Sequence, residues 1–271
     1  MKKVLSVLLA MAILLSLTAC GVKKPSDIPV KDAVTQIPES VTLNQAEEWP
    51  ENQYTERLPK PTGKVLWSMI DSQRNTFGIT VRGISKGGID GYMDALENAG
   101  FMKIKKMEKP LIGEGYVSLG TLFSDGTRTL SISYADPVLM LTVSMSGTSS
   151  AEKSFLQASN MTNIYQHSHA TYNESDGIGI VTELYVSDRD KIQPKFTGFH
   201  GVAVISLGEK QEYCYFGGTP EQTRSLGTLL KTGILGQSGE KGTVTVSGIA
   251  YSENAVGNGG SFAITYGVTI P

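Results

Sequence analysis

VLWSMI at residues 65–70 and TFGITV at 76–81 flank the polar run DSQRN at 71–75. Each outer run is apolar or β-branched for six residues, and five polar residues are a hairpin-length connection, so the stretch predicts two paired strands. The period then changes. After Ser85, whose hydroxyl suits a helix N-cap, Ile89, Tyr92, Met93, Leu96 and Ala99 recur at steps of three and four, and Gly100 supplies a stop. Residues 101–107, 115–123, 127–134 and 138–145 read as four further strands, with Ser124-Asp125-Gly126 and Ala135-Asp136-Pro137 as turns. Two strands, a helix and a meander predict one helix over one face of an antiparallel sheet, an α+β domain at residues 49–146.

Outward toward the C-terminus, SGTSS at 146–150 reads as a boundary and 151–161 as a short helix. A second β-rich α+β domain follows at 150–271. Its expected strands are 177–186, 200–207, 211–216, 243–251 and 261–270, with a helix over 220–235 that turns Leu226, Leu229 and Leu230 inward. The expected fold class is therefore α+β, two small antiparallel-sheet domains each covered by one or two helices. Outward toward the N-terminus, WPENQYTERLPKP at 49–61 sets Trp49 and Tyr54 among prolines. Such a segment reads as an extended strap whose aromatics cap the core, with a ligand-facing strip as the alternative. Residues 20–48 are polar, carry Pro25, Pro29 and Pro38, and read as a flexible tether.

The first twenty-one residues decide location. Lys2 and Lys3 precede Val4 to Leu17, fourteen residues without a charge. A membrane-spanning helix needs roughly 20 apolar residues, so this run fits the apolar region of a secretory signal. It ends in Leu17-Thr18-Ala19-Cys20-Gly21, which resembles the lipobox of bacterial lipoproteins. That resemblance implies a signal peptide at 1–19, removed on maturation, and Cys20 as the lipid attachment residue holding the chain to the outside of the cell membrane. The run at 49–61, followed by strands and then YMDALENAGF, also resembles a domain of unknown function found in lipoproteins of Firmicutes-type bacteria. It implies location and fold and carries no catalytic residues to transfer.

Composition sets the partners. The formal charge is −2 for 271 residues, and loss of Lys2 and Lys3 with the leader takes it to −4. No basic face for nucleic acid is expected from that balance, and the lipid must do the anchoring. With Cys20 lipidated, Cys214 is the remaining cysteine, so neither an intramolecular disulfide nor a cysteine zinc site is expected. Cys214 lies in a strand-like run and reads as a buried structural thiol.

Four sets of residues carry candidate chemistry. Gly83-Ile84-Ser85-Lys86-Gly87 matches G-x-S-x-G between a strand and a helix, the setting of a nucleophile elbow, yet too few βα units precede it for that fold; Ser85 as a helix cap is the simpler reading. Ser150-Ala151-Glu152-Lys153, Ser175-Asp176-Gly177 and Lys231-Thr232-Gly233 follow the order found in penicillin-binding proteins, but with wrong spacing and with the third expected on a helix. His167 and His169 alternate, so on a strand both imidazoles face one side and could bind a metal, with Glu174 or Asp176 completing the site. His200 begins a predicted strand and reads as a hydrogen-bonded structural histidine, with acid–base work as the alternative. No cofactor is expected. Together these readings predict a membrane-anchored extracytoplasmic lipoprotein, a non-catalytic binding or adaptor module for an envelope or extracellular ligand. A serine- or metal-dependent hydrolase is the alternative. A transporter's solute-binding component is disfavoured for lack of repeated βαβ units.

Overall fold

The computed structural model describes residues 28–45, 47–106, 119–145, 164–186, 196–218, 225–251 and 259–271. Of these residues 60% are strand and 7% helix, arranged as three sheets. The first sheet has seven antiparallel strands in the order β2 (Val41–Asn44), β3 (Lys64–Asp71), β4 (Thr76–Arg82), β8 (Val138–Ser144), β7 (Thr129–Ala135), β6 (Leu119–Ser124) and β5 (Met102–Lys106). The second has four antiparallel strands, β12 (Lys210–Gly218), β11 (Gly198–Leu207), β14 (Lys241–Tyr251) and β15 (Gly259–Thr269). The third runs β1 (Val30–Asp32), β13 (Ser225–Lys231), β10 (Gly177–Val186) and β9 (Ile164–Asn173), with β1 parallel to β13 and the other pairs antiparallel. Helix α1 (Lys86–Asn98) is the single helix among the described residues.

Alternation along the strands dictates how these pieces stack, because successive side chains leave opposite faces. On β4, Phe77, Ile79 and Val81 join Ile89, Met93 and Leu96 of α1 in one core. The intervening positions face the second sheet: Thr80 Oγ1 lies 2.9 Å from Ser247 Oγ, and Thr76 Oγ1 lies 3.1 Å from the Tyr251 hydroxyl. Farther along that seam Thr142 Oγ1 meets Ser261 Oγ at 2.7 Å. Between these hydroxyl pairs Trp67, Met69 and Met140 pack on Val202, Val204 and Ile249. A register shift between Val65 and Trp67 lets the consecutive Leu66 and Trp67 both enter this seam.

The second sheet repeats the pattern on its other face. Phe199, Ala203 and Ile205 of β11 and Val244 and Val246 of β14 meet Ile178, Ile180 and Leu184 of β10 and Leu230 of β13. Phe199 holds Phe216 and Phe262 edge-on, at centroid distances of 5.5 and 5.9 Å. The molecule is thus four layers deep, α1 on the seven-stranded sheet, then two four-stranded sheets, and the middle sheet is buried on both faces. Each large apolar side chain so buried contributes about 1.5–3 kcal/mol.

The expected α+β class, with one or two helices over each of two sheets, is therefore corrected to a mostly β architecture. Its second half buries sheet against sheet. The helix expected over 220–235 fails where it is described: residues 225–231 form β13. Leu226 and Leu230 point into the core from alternate positions with Thr228 between them, a spacing of four that fits either a helix turn or two strand repeats. Gly227 and the β-branched Thr228 weaken the helical choice, and pairing to β10 and β1 decides it. The expected boundary at 146–150 and the helix at 151–161 lie outside the described residues.

The expected tether is also corrected over its described part. Pro29 to Asn44 runs along the flank of all three sheets. β1 edges the third, Val34 exchanges hydrogen bonds with Gly217 of β12 in the second (3.0 and 2.7 Å), and β2 edges the first. Ile28 and Val41 are buried. The proline-rich segment that follows caps a core, with a turn at residues 53–57 in place of the expected extended strap: Tyr54 stacks on Phe77 at 5.7 Å, and Arg128 donates to the carbonyls of Tyr54 and Glu56.

Candidate functional site

A set of titratable side chains gathers where the β3–β4 hairpin meets the middle sheet. Asp71 ends β3 and has no solvent exposure. Its Oδ1 accepts from the backbone N–H groups of Gln73 (3.1 Å) and Arg74 (3.2 Å), the bonding that makes aspartate a turn former. Asn75 takes φ +51, which asparagine tolerates, and closes the turn. Asp71 Oδ2 accepts from Arg74 Nη1 at 2.8 Å and lies 3.5 Å from His200 Nε2 on β11. The other ring nitrogen of His200 lies 2.6 Å from the Tyr215 hydroxyl on β12. Tyr251 of β14 closes the group, its ring edge-on to His200 at 5.5 Å and under the Arg74 guanidinium at 4.4 Å.

Electrostatics fix the protonation of this chain. Burial alone would raise the Asp71 carboxyl, but hydrogen bonds from His200 and Arg74 and the Arg74 charge outweigh it and hold the group far below the usual carboxylate range. Burial and the Asp71 charge push the Tyr215 phenol up to about 12 and the Tyr251 phenol higher still. Both phenols stay protonated at neutral pH. His200 thus stands between the Asp71 carboxylate on its Nε2 side and the Tyr215 hydroxyl on its Nδ1 side. The arrangement is an Arg–Asp–His–Tyr chain joining two sheets, buried except at Arg74, and His200 is hydrogen-bonded within it.

His167 and His169 fall on the outward face of β9, their rings 5.4 Å apart. Pairing sets Glu183 of β10 opposite His167, and its Oε2 lies 2.8 Å from His167 Nδ1. Burial first, and then the neighbouring His167, hold His169 below the ordinary histidine value. Glu174 and Asp176, the expected carboxylate partners, sit in the β9–β10 turn beyond Asn173, four residues past His169. Among the described residues no group of three or more His, Cys, Asp or Glu is arranged to hold a metal ion.

The remaining candidates are occupied by local structure. Ser85 Oγ accepts from Gly88 N at 3.1 Å as the N-cap of α1. Ser175-Asp176-Gly177 and Lys231-Thr232-Gly233 do come together: Gly233 N donates to Asp176 O (3.0 Å) and Thr232 Oγ1 to Ile178 O (2.7 Å). Both hydroxyls are used in turns, Ser175 Oγ bonding Asn173 Oδ1 at 2.8 Å, while Ser150 and Lys153 lie outside the described residues. Lys231 ends a strand, not the expected helix, with Nζ 3.7 Å from Asp32. Cys214 is a free, half-buried thiol, raised by burial and by Glu212. Cys20 lies outside the described residues.

An open cleft of about 220 Å³ occupies the end of the sandwich where β11 turns into β12. Ile205, Leu207, Ile234 and Leu235 line it together with the charged Lys210, Glu212 and Glu240. Leu235 is 62% exposed there. Sequence reading misses this cleft, together with Asp71, Arg74, Tyr215, Tyr251 and Glu183, because each becomes a neighbour only through strand register. No protein-family model matches the chain, and no curated protein matches it in sequence. Among the described residues no helix is long and apolar enough to cross a membrane.

Proposed function

We propose that the chain is an extracytoplasmic lipoprotein, held to the cell membrane through a lipid on Cys20, whose stacked sheets serve as a non-catalytic binding module. The observation that carries the binding half is the contrast between its polar groups and its cleft. Ser85 is engaged as a helix cap, and His200 and Tyr215 are buried in a chain that joins two sheets. The cleft, by contrast, leaves an exposed leucine beside two carboxylates and an amine. Such a surface suits recognition: an apolar contact supplies affinity and the charged groups supply orientation. The location half rests on the basic start, the short apolar run and LTAC-G at residues 17–21.

Two measurements test the two halves separately. Metabolic labelling with a clickable fatty acid is expected to mark the wild type and not Cys20→Ser. Affinity capture from envelope extract is expected to recover one dominant companion with the wild type and to lose it with Leu235→Glu. Equal capture by the two proteins refutes the cleft as the binding surface, and equal fatty-acid labelling refutes the anchor.

A further inference from the structure

The stretch from Val30 to Ile37 carries three exposed large hydrophobics within eight residues: Val30 at 44%, Val34 at 43% and Ile37 at 42% exposure. Only Met102 and Leu235 share that description elsewhere among the described residues. Their spacing follows the flank of the molecule. Val30 lies on β1 at the edge of the third sheet, Val34 bridges to Gly217 on the edge of the middle sheet, and Ile37 precedes β2 on the edge of the first. The apolar row therefore crosses the whole stack of sheets on one side. Its backbone is pinned, by Ala33 N to Leu229 O (2.9 Å) and by the paired bonds of Val34 and Gly217, so the row is a fixed surface.

Chain length places this flank. Eight peptide steps separate Cys20 from Ile28, where the pinned segment begins, and each spans at most about 3.3–3.6 Å, so Ile28 stands no more than about 26–29 Å from the cysteine. A lipid at Cys20 would then hold this side of the body nearest the bilayer. We infer that Val30, Val34 and Ile37 form a membrane-resting face that dips into the headgroup region of the bilayer carrying the Cys20 lipid. The inference rests on the proposed anchor. Shallow burial of valine and isoleucine suits an interfacial contact, and a second attachment beside one lipid makes the hold durable and sets the orientation of the body. The neighbouring Asp32 is drawn toward Lys231, which reduces its repulsion from anionic lipid. The cleft residues Glu240 and Leu235, which follow β13 beyond the flank strand β1, would then stand in a fixed relation to the membrane.

The test uses the full-length mature lipoprotein, reconstituted in vesicles of three parts phosphatidylcholine to one part phosphatidylglycerol, with Cys214→Ser removing the competing thiol. An environment-sensitive fluorophore is placed at Val34→Cys, at Ile37→Cys and, as control, at Met102→Cys on β5. That control lies at the opposite edge of the seven-stranded sheet from β2, six strands or about 29 Å away. Lipids bearing a doxyl group near the headgroup are expected to quench the labels at 34 and 37 at least threefold more than the label at 102. Equal quenching at all three sites on protein that floats with the vesicles overturns the inference and leaves the anchor intact. A label at 34 that is shielded from water but not quenched by lipid points to a protein cover and also overturns it. If the wild type fails to float, or Cys20→Ser floats equally well, the anchor fails and the inference falls with it, a result distinct from the first.

Discussion

Asp71→Asn keeps the shape of the side chain and removes its charge. In the wild type the carboxylate accepts two turn N–H groups and the Arg74 guanidinium, and it faces His200 Nε2 at 3.5 Å. Asparagine can still accept the turn N–H groups through its oxygen, but its amide donors then face the guanidinium donors and no anion faces the imidazole. Hydrogen bonds to charged groups contribute about 1.5–3 kcal/mol each, and breaking a fully buried ion pair costs about 3–5. Arg74 is partly exposed and can turn to water, so the expected loss is lower, about 2–4 kcal/mol. At roughly 2–4 °C per kcal/mol for a body of this size, the melting temperature should fall by about 4–16 °C at pH 7. The pH dependence follows from the sign of the shift. The folded carboxyl titrates below its unfolded value of about 3.9, so its contribution is fully present above that value and is lost as pH falls below it. The gap between wild type and variant should therefore narrow from pH 7 to pH 3. Circular dichroism melts at pH 7, 5 and 3 measure it. A variant melting within 1 °C of wild type at pH 7, or a gap of unchanged size at pH 3, refutes the account of this cluster.

Three further predictions concern the same seams. A Cβ on Gly248 would stand 2.1 Å from the His200 carbonyl oxygen, whereas one on Gly78 would meet only the ends of Ile249 and Met140; Gly248→Ala should abolish soluble expression while Gly78→Ala costs about 1–3 kcal/mol, measured by urea titration. Tyr215→Phe leaves His200 Nδ1 without its partner in a buried site and should cost about 1–3 kcal/mol in the same titration. Ser85→Ala removes the α1 cap and should cost about 1 kcal/mol, with capture of any companion from envelope extract unchanged.

The strands and helix of the first half are legible because each local signal agrees with its neighbours. The 65–70 and 76–81 runs share a polar turn that Asp71 itself organises, and Ser85 caps the helix that the three- and four-residue steps describe. The second half hides its architecture in ambiguous spacing. Leu226 and Leu230 suit a helix or a strand, and β9 turns Gln166 and Ser168 inward beside Ile164, which blurs the apolar alternation that marks a strand. Both polar residues are bonded, Gln166 Nε2 across the core to Val246 O and Ser168 Oγ to Thr182 Oγ1 on the neighbouring strand, and only pairing and stacking create those bonds. The cluster around Asp71 is hidden for the same reason. An aspartate in a turn, a histidine at a strand start and two strand tyrosines are each ordinary, and stacking of the sheets makes them one group.

The flank segment gives the sharpest separation between a tether and a structural element. Its composition, with prolines and few apolar residues, reads as chain that lifts a body from a surface, and a chain used that way tolerates any residue. In the structure Val34 donates to Gly217 O at 3.0 Å and accepts from Gly217 N at 2.7 Å, on the side of edge strand β12 that does not face β11. Val34→Pro removes the donor and leaves the Gly217 carbonyl to find water, while the apolar exposure at the position changes little. The expected cost is about 1–3 kcal/mol of unfolding free energy, read by urea titration. Val34→Ala, which keeps the N–H at a position 43% exposed, should cost less than about 0.5 kcal/mol. Equal stability of the two variants would mean that residues 29–44 hang from the sheets without holding them. A clear difference would mean that the segment before the first long hairpin is part of the fold, held by its bonds to the sheet edges.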